Sequence, residues 1–512
     1  MGLFDKFKRL KSNFTGEPRP YIEDSRLVSK KLHDNTTYLE NRFKDCSDIT
    51  FRELRINAGS SKSGLMLLVF TDGLIDSTLV NESIIKPINF ANGLKKSSDI
   101  NVALLQDIIL INSIRVTKKL DEIIHSILSG DTVLFIEGSD EALLLDTRGG
   151  ESRSIEESSV ESVIRGSKEG FVENIRTNTA MIRRKLKDPN LKIKDLKVGS
   201  RSHTSVAVVY IDDIVNQEVL QYTLNKLEEI KIDGIFDSGY IEQFLENNTF
   251  SIFPQMQVTE RPDKVCGNLL EGRMVVLVDG SPDALIFPVG LVQLLQSPDD
   301  YYERFIFANM VRLIRYLGFV IATTFPAIYV AVTTFHQDLL PADFILDIAK
   351  TRVDVPFPPV VEAMLMEGTI ELLREASARL PSKIGQTIGI VGALVIGDAA
   401  VRARIISPMM VVVVAITAIG SYIFPHFSTS YSIRFIRLPM ILMAATFGAF
   451  GIIITWTWII AHMCKLNSFG YPFLAPFAPI NTDDMKDAVL RAPLWGLKTR
   501  PTPASNRNKR RK

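Results

Sequence analysis

The chain has 512 residues, a formal net charge of +1 and 23% charged residues, and 46% of its residues are hydrophobic. This near balance of charge gives no reason to expect a nucleic-acid partner, and the length predicts about three domain-sized units. The three cysteines lie far apart, with no CxxC pair and no histidine at metal-ligand spacing. We therefore expect reduced thiols, no metal site and no cofactor.

Residues 1–33 carry many lysines and arginines with scattered phenylalanines. They predict a flexible basic N-terminal arm, although the same pattern also suits an arm that lies on a membrane surface. The start lacks the apolar core of about 7–15 residues that characterises a signal peptide. We therefore expect the soluble part that follows to stay in the cytoplasm.

The N-terminal half contains a repeat with a spacing of about 140 residues. In each copy an apolar strand ends in aspartate and leads into a helix, and a later strand passes through a Gly-Ser turn into another strand. The paired runs are 65–72 and 205–212, 132–139 and 274–281, and 142–145 and 284–287. The pattern predicts an α/β soluble part of two similar subdomains, 34–150 and 151–300, each with its own mixed sheet.

Residues 301–465 predict an α-helical transmembrane domain. A basic segment, 305–315, predicts an interfacial helix leading into the first span. Each of three uncharged runs reaches the roughly 20 residues that cross a ~30 Å hydrocarbon core. These runs are residues 316–335, 405–425 and 438–461.

The remaining residues, 466–512, form a basic C-terminal tail, which the positive-inside rule places in the cytoplasm. Because the soluble part is also expected there, the number of crossings should be even. The shorter, glycine-rich segment 384–397 then supplies a fourth span, although by itself it would suit a re-entrant or buried helix.

A helix rich in glutamate is predicted between the first two spans, after the prolines at 356, 358 and 359. Glu367, Glu371 and Glu375 follow one another at a spacing of four residues, so they share one face. This stripe suits a solvated surface, partly neutralised by Arg374 and Arg379. It equally suits an acidic vestibule that attracts cations in a ring of subunits.

Three long segments resemble the signatures of the spore germinant receptor A subunit, the GerA family. They read SIFPQMQVTERPDKVCGNLLEGRMVVLVDGSPDALIFPV (251–289), PFPPVVEAMLMEGTIELLREASARLP (356–381) and IGQTIGIVGALVIGDAAVRARIISP (384–408). The resemblance implies a multi-pass subunit in the inner membrane of a bacterial spore, working with a transporter-like B subunit and a lipoprotein C subunit. It also implies a homo-oligomeric ring, such as a pentamer, around a nutrient-gated cation pathway. The chain departs from the family at Asp398, where glutamine is common.

Within the glycine-rich segment, we expect Gln386, Ile388, Val391 and Val395 to line a pore. An apolar constriction of this kind can gate by dewetting. The alternative for each residue is that it packs against a neighbouring helix.

The leading hypothesis is therefore a channel-forming subunit of a germinant receptor. Prolines within the apolar runs also suit a secondary transporter with broken helices, and a non-conducting scaffold that relays the signal is a further alternative. The chain has no GxGxxG, Walker, HExxH or GxSxG motif, so we expect no enzymatic activity.

Overall fold

The computed structural model describes residues 26–56, 64–90, 102–149, 161, 165–379 and 395–501. The strands in these ranges, in chain order, are β1 Ile49–Ile56, β2 Gly64–Thr71, β3 Ile114–Thr117, β4 Thr132–Ile136, β5 Ala142–Leu145, β6 Leu191–Val198, β7 Thr204–Ile211, β8 Gln257–Thr259, β9 Met274–Val278, β10 Ala284–Phe287, β11 Asn467–Ser468 and β12 Tyr471–Pro472.

Helices surround the sheets and then form a bundle. They are α1 Leu32–Arg42, α2 Ser77–Leu79 (continued by a π-helical turn, Val80–Ile85), α3 Lys86–Phe90, α4 Val102–Ile108, α5 Leu120–Ser129, α6 Ile175–Lys185, α7 Gln217–Glu229, α8 Ser238–Leu245, α9 Pro262–Leu270, α10 Leu291–Leu294, α11 Asp299–Tyr302, α12 Phe305–Thr334, α13 Ala342–Arg352, α14 Pro359–Arg379, α15 Pro408–Ser421, α16 Phe427–Phe447 and α17 Ala449–Lys465. Residues 395–402 are also helical.

The soluble part contains two five-stranded sheets built on one plan. Their strand orders are β1-β2-β4-β5-β3 and β6-β7-β9-β10-β8, which are the same order in two copies. The central strands are buried on both faces and form the cores of the two sheets. The runs predicted from the repeat are found as β2 and β7, β4 and β9, and β5 and β10.

The prediction that each sheet is mixed was wrong, because every neighbouring pair of strands is antiparallel. β3 and β4 do run parallel and are joined through α5, as a β-α-β unit requires. However, β5 lies between them and pairs with both in the antiparallel sense. The sequence shows the parallel connection but not the strand that separates the pair.

A buried ion pair joins the two subdomains. Arg183 on α6 donates Nε and Nη2 to the two carboxylate oxygens of Asp48, at 2.8 and 3.0 Å. Its Nη1 donates to the carbonyl of Leu191 at 3.0 Å, and Arg183 is fully buried. Nearby, Cys46 forms a parallel bridge with Ile193 at the start of β6. These contacts fix one subdomain against the other.

The helical bundle has a near end, at the second subdomain, and a far end. At the near end His426, just before α16, contacts Gln257, and His462 of α17 lies 3.2 Å from the hydroxyl of Ser251. At the far end the amide of Ala449 donates to His336, which follows α12. α12 and α16 therefore run away from the soluble part, and α17 returns to it.

α14 and α15 both run from the far end to the near end. The amide of Ser407, the N-cap of α15, donates to Glu362 near the start of α14 at 2.8 Å. At the other end Arg374 lies 3.4 Å from the hydroxyl of Ser421. Two parallel helices in succession place residues 379 and 407 at opposite ends of the bundle.

The prediction that residues 438–461 form a single helical span was wrong. These residues are divided at Gly448, whose φ of +61° belongs to a conformation that glycine favours. The chain reverses there, and α16 and α17 pack as an antiparallel hairpin. Their approach is closest at Gly451, where an added Cβ would lie 1.9 Å from the carbonyl oxygen of Met443.

In the described part of the chain, α12 is the one helix that is both long and apolar enough to cross a membrane. It runs without a break through the segment predicted as a separate interfacial helix. α15 and α17 are apolar but shorter, with 14 and 17 residues. At a rise of about 1.5 Å per residue these correspond to roughly 21 and 26 Å.

Candidate functional site in the helical bundle

The candidate site is a ladder of ion pairs between α14 and its neighbours. A charge in an apolar bundle is costly unless a partner of opposite charge lies in contact with it. Glutamates of α14 supply the negative charges, and arginines on α13, α14 and α16 supply the positive charges. The ladder has three steps along the axis of the bundle, one at its centre and one toward each end.

The central step joins three helices. Arg437 on α16 donates Nη1 to Glu367 on α14 at 2.5 Å and Nε to the carbonyl of Ala322 on α12 at 2.7 Å. Pro326, four residues after Ala322, has no N–H with which to bond that carbonyl within the helix. Arg437 thus satisfies an acceptor that the proline leaves unpaired. Glu367 and Arg437 are 3% and 2% exposed.

The step toward the near end is more exposed to solvent. Glu371 accepts from Arg434 on α16 at 2.8 Å and from Arg374 at 3.2 Å. The side chain of Glu371 is 44% exposed, whereas that of Arg434 is 8% exposed. One turn further on, Glu375 pairs with Arg379 on the surface of α14. The acids of the predicted stripe therefore grade from buried to exposed toward the near end.

At the far end Glu362 is fully buried. It accepts from the amide of Ser407 and forms an ion pair with Arg352, the last residue of α13, at 3.1 Å. Ser407 also lies 3.4 Å from the hydroxyl of Tyr329 on α12. This step fixes the starts of α14 and α15 together.

α12 and α15 approach closely at small residues beside this ladder. An added Cβ at Gly420 would lie 3.5 Å from both the side chain of Ala322 and the carbonyl oxygen of Gly318. Such small residues let helix backbones approach without a side chain between them. The carbonyl of Ala322 is thereby held at the level of Arg437.

A second polar cluster connects the second subdomain to α16. Lys264 on α9 donates to Glu161 at 2.9 Å and lies 3.3 Å from Nε2 of His426. Burial and, to a smaller extent, the charge of Lys264 lower the pKa of His426 to about 4. Burial alone would raise the pKa of Glu161, but Lys264 and His426 together hold it at about 2. Glu161 is therefore charged and His426 neutral at neutral pH, while burial lowers the pKa of Lys264 between them.

A third polar cluster lies at the N-terminal end of α12, and the C-terminal segment contributes Asp487 to it. Asp300 accepts from Arg312 at 3.0 Å and from Arg315 at 2.9 Å, and all three residues are buried. Arg312 also donates to Asp487 at 2.9 Å. The basic residues before the first apolar run are thus fixed inside the protein rather than at a bilayer surface.

The structure brings Glu367 and Glu371 of the predicted stripe together with Arg437 and Arg434. Val395 is 58% exposed on its helix, while Gln386, Ile388 and Val391 lie outside the described residues. The pore lining and the acidic vestibule stay predictions. Arg434 and Arg437 were not among the predicted site residues, although their spacing of three residues within a largely uncharged stretch was a usable signal.

Comparison with known proteins identifies relatives over almost the whole chain. Residues 37–503 match the family described as Bacillus/Clostridium GerA spore germination protein. An uncharacterized membrane protein, YfkQ, of Bacillus subtilis (strain 168) is 41% identical over 95% of this chain and 94% of its own length. Spore germination protein KA of the same organism is 42% identical over 94% of this chain and 88% of its own length.

A solved structure is also similar, namely the N-terminal domain of the A subunit of the Bacillus megaterium spore germinant receptor GerK3. It is 31% identical and covers 52% of this chain and 97% of its own, with a TM-score of 0.41. The family match and the two full-length relatives cover both the sheets and the bundle. The chain therefore belongs to the GerA family of spore germination proteins.

Proposed function

We propose that this chain is the A subunit of a nutrient germinant receptor and that copies of it form a nutrient-gated cation channel. It would act with a transporter-like B subunit and a lipoprotein C subunit in the inner membrane of the spore. The observation that carries this proposal is the ladder of ion pairs on α14. Ionisable groups inside a membrane bundle are costly and commonly mark an ion pathway or a switch.

The course of the helices supports a multi-pass arrangement with both soluble parts on one side. Residues 466–501 follow α17 back to the near end, where Asp487 contacts Arg312. Residues 379 and 407 lie at opposite ends of the bundle, and this supports the proposal that the segment 384–397 forms a fourth span. Together with the hairpin at Gly448 this gives an even number of crossings, and we place the near end in the cytoplasm.

The acids of α14 differ in what each offers to a cation. Arg437 neutralises Glu367, so Glu367 serves to hold α14, α16 and α12 together. Glu371 and Glu375 are partly exposed toward the near end. In a ring of subunits these two acids would repeat around the axis and raise the local cation concentration. Val395 and the glycine-rich segment before it would form the narrower wall.

The test has two parts. Native mass spectrometry of the detergent-solubilised chain, with and without its partners, gives the number of copies, and we expect a closed ring. Cation flux through liposomes carrying the complete receptor then gives conductance. We expect Val391→Asn to increase the flux without nutrient, whereas Val395→Leu keeps it low.

A monomer in both samples would contradict the channel and favour a signal-relaying scaffold. Nutrient uptake by this chain alone would instead favour a transporter. Unchanged flux in the Val391→Asn variant would remove the glycine-rich segment from the pore wall.

A further inference from the structure

A turn of the second subdomain, between α8 and β8, lies against the near end of the bundle. The hydroxyl of Ser251 is 3.2 Å from Nε2 of His462 on α17. The carbonyl of Ile252 accepts from the hydroxyl of Ser432 on α16. The residue before these two, Phe250, is 96% exposed, the highest value among the large apolar side chains of the described residues. An exposed aromatic ring therefore lies beside both helices of the hairpin.

The backbone of this turn is held by one buried side chain. The amide oxygen of Gln255 accepts from the N–H groups of Asn247 and Asn248, at 3.2 Å each. Its Nε2 donates to the carbonyl of Asn248 at 2.8 Å, and Gln255 is buried. The N–H of Ser251 closes the turn by donating to the same carbonyl at 3.1 Å. The position of Phe250 is therefore fixed by the fold.

Exposed aromatic side chains of the bundle lie at the level of this turn. Trp458 on α17 stacks on His462, with ring centroids 6.0 Å apart, and is 58% exposed. Tyr431 on α16 directly precedes Ser432, is 54% exposed and meets the ring of Phe427 edge to face at 5.0 Å. Single exposed apolar residues are common on soluble proteins. Here, however, aromatic residues from two helices and from the second subdomain lie at one level.

The surfaces on the two sides of this level differ in polarity. Toward the far end, α16 and α17 expose aliphatic side chains such as Leu442 and Ile453, and residues 449–461 contain no charged residue. Toward the soluble part, Lys465 is exposed three residues after His462. Tyrosine and tryptophan are enriched at a boundary between hydrocarbon and water, because their rings are apolar and carry a polar atom. These aromatic residues therefore suit the headgroup level of a bilayer.

The opposite end of the same subdomain points away from the bundle. β10 ends at Phe287, and the N–H of Val289 just after it donates to Ser468, which follows α17. The turn between β9 and β10 lies at the other end of these strands, and the five residues of β9 span roughly 17 Å. Phe236 lies at that turn, because an added Cβ on Gly280 would be 3.9 Å from its carbonyl oxygen. Phe236 is also exposed, so the subdomain has an exposed phenylalanine at each end.

We propose that Phe250 inserts into the near leaflet of the membrane and attaches the second subdomain to the lipid. The partner is the bilayer interface, where Phe250 joins Trp458 and Tyr431 in one aromatic belt. This insertion rests on the proposed function, because it requires the bundle to lie in a membrane, but it does not require the chain to conduct ions. The second subdomain is then held at the bilayer by a residue of its own as well as by α16 and α17.

Tryptophan fluorescence of the full chain in liposomes tests the position of Phe250. In a background of Trp456→Phe, Trp458→Phe and Trp495→Phe, a single tryptophan is introduced as Phe250→Trp or, as the matched control, Phe236→Trp. Phosphatidylcholine brominated on its acyl chains near the head group quenches tryptophan in the interface, and iodide quenches tryptophan in water. We expect brominated lipid to quench Phe250→Trp and a chain that keeps only Trp458. Iodide alone should quench Phe236→Trp.

Two results would overturn the insertion of Phe250. Quenching of Phe250→Trp by iodide alone would place the residue in water, and protection from both quenchers would mean that protein covers it. If the chain that keeps only Trp458 is still quenched by brominated lipid, the bundle lies in the membrane and only the attachment by Phe250 fails. If that chain is not quenched either, the membrane placement of the bundle fails as well.

Thermal unfolding checks that the background without native tryptophan still folds. If it does not, Phe250→Cys labelled with bimane in a Cys464→Ser background gives the same reading, with Phe236→Cys as its control. Cys46 and Cys266 are buried, so the introduced thiol is the one open to the label. Quenching of this label by spin-labelled lipid supports the insertion, and quenching by iodide alone overturns it.

Discussion

The Nε atom of Arg437 donates to the carbonyl oxygen of Ala322 at 2.7 Å, and that oxygen is the one that Pro326 leaves without a helical donor. A kink-forming residue on one helix is thus matched by a cation on another. The same guanidinium neutralises Glu367 on a third helix. One side chain therefore sets the relative positions of α12, α14 and α16.

Replacing Arg437 with methionine should lower the free energy of unfolding by about 3–5 kcal/mol, because Glu367 would stay buried without its partner. The double variant Glu367→Met with Arg437→Met should recover most of this loss, since it removes both charges. Thermal unfolding in detergent would check the stabilities. If the double variant folds but no longer supports nutrient-triggered germination of spores, the ion pair serves function beyond folding; unchanged germination would assign it to stability alone.

Pro326→Ala restores an N–H to α12, and that group competes with Arg437 for the carbonyl of Ala322. The cost of Arg437→Met should then be smaller by about 1 kcal/mol in the Pro326→Ala background, the net value of one hydrogen bond. A double-mutant cycle on unfolding free energies measures this difference. Pro439→Ala on α16 is the matched control. The carbonyl that Pro439 leaves without a helical donor takes part in none of the contacts given above for Arg437. Equal costs in both backgrounds would mean that the proline and Arg437 act independently.

Gly451→Ala should disrupt the hairpin of α16 and α17. Its Cβ would lie 1.9 Å from the carbonyl oxygen of Met443, a backbone atom that cannot move alone. We expect at least 2 kcal/mol of destabilisation, in the range of an overpacked core site (about 1–3 kcal/mol). Gly470→Ser, in the β11–β12 turn, tests a glycine with free space, although its positive φ carries a smaller strain of its own. Unfolding of purified variants compares the two, and a stable Gly451→Ala chain would mean that the helices are not packed as described.

His426 should make stability depend on pH. Its pKa is about 4 when folded and 6.5 ordinarily, so between these values the unfolded chain binds more protons. Its contribution, up to about 3 kcal/mol, is complete above pH 6.5 and is lost as the pH falls toward 4. Glu161 adds to the loss only below pH 4.5, because its pKa lies at about 2.

His426→Asn removes this titration, so the difference in unfolding free energy between wild type and variant should change across pH 4–6.5. The difference is needed because burial raises the pKa of Glu242 to about 7 and of Asp283 to about 6, and these acids act with the opposite sign in the same range. Denaturant titrations at several pH values would measure it. A constant difference would show that His426 is not buried beside Lys264.

Arg183→Met should loosen the two subdomains from each other. Asp48 would be left buried without its cation, at a cost of about 3–5 kcal/mol. Hydrogen exchange of the amides around Cys46 and Ile193 reports on the interface, and it should become faster than in the core of either sheet. Arg201→Met, whose guanidinium is exposed beside Asp233 at 3.7 Å, should change neither rate. Uniformly faster exchange would instead indicate global destabilisation.

Local patterns in the sequence determined the strands, their duplication and the apolar helices. The apolar runs at 65–72 and 205–212 predict buried strands from their own residues, because apolar side chains are removed from water in any stable fold. The residues that resemble the GerA family likewise needed no coordinates to be recognised.

Only the tertiary structure decided which charges meet and how the strands and helices alternate. Arg437 lies 115 residues from Ala322 and 70 from Glu367, so no local spacing could show that they form one contact. The insertion of β5 between β3 and β4, and the reversal at Gly448, likewise depend on how distant segments pack. The spacing of the glutamates on α14 would be the same whether that helix were solvated or buried. Only their contacts with arginines on α16 distinguish these two cases.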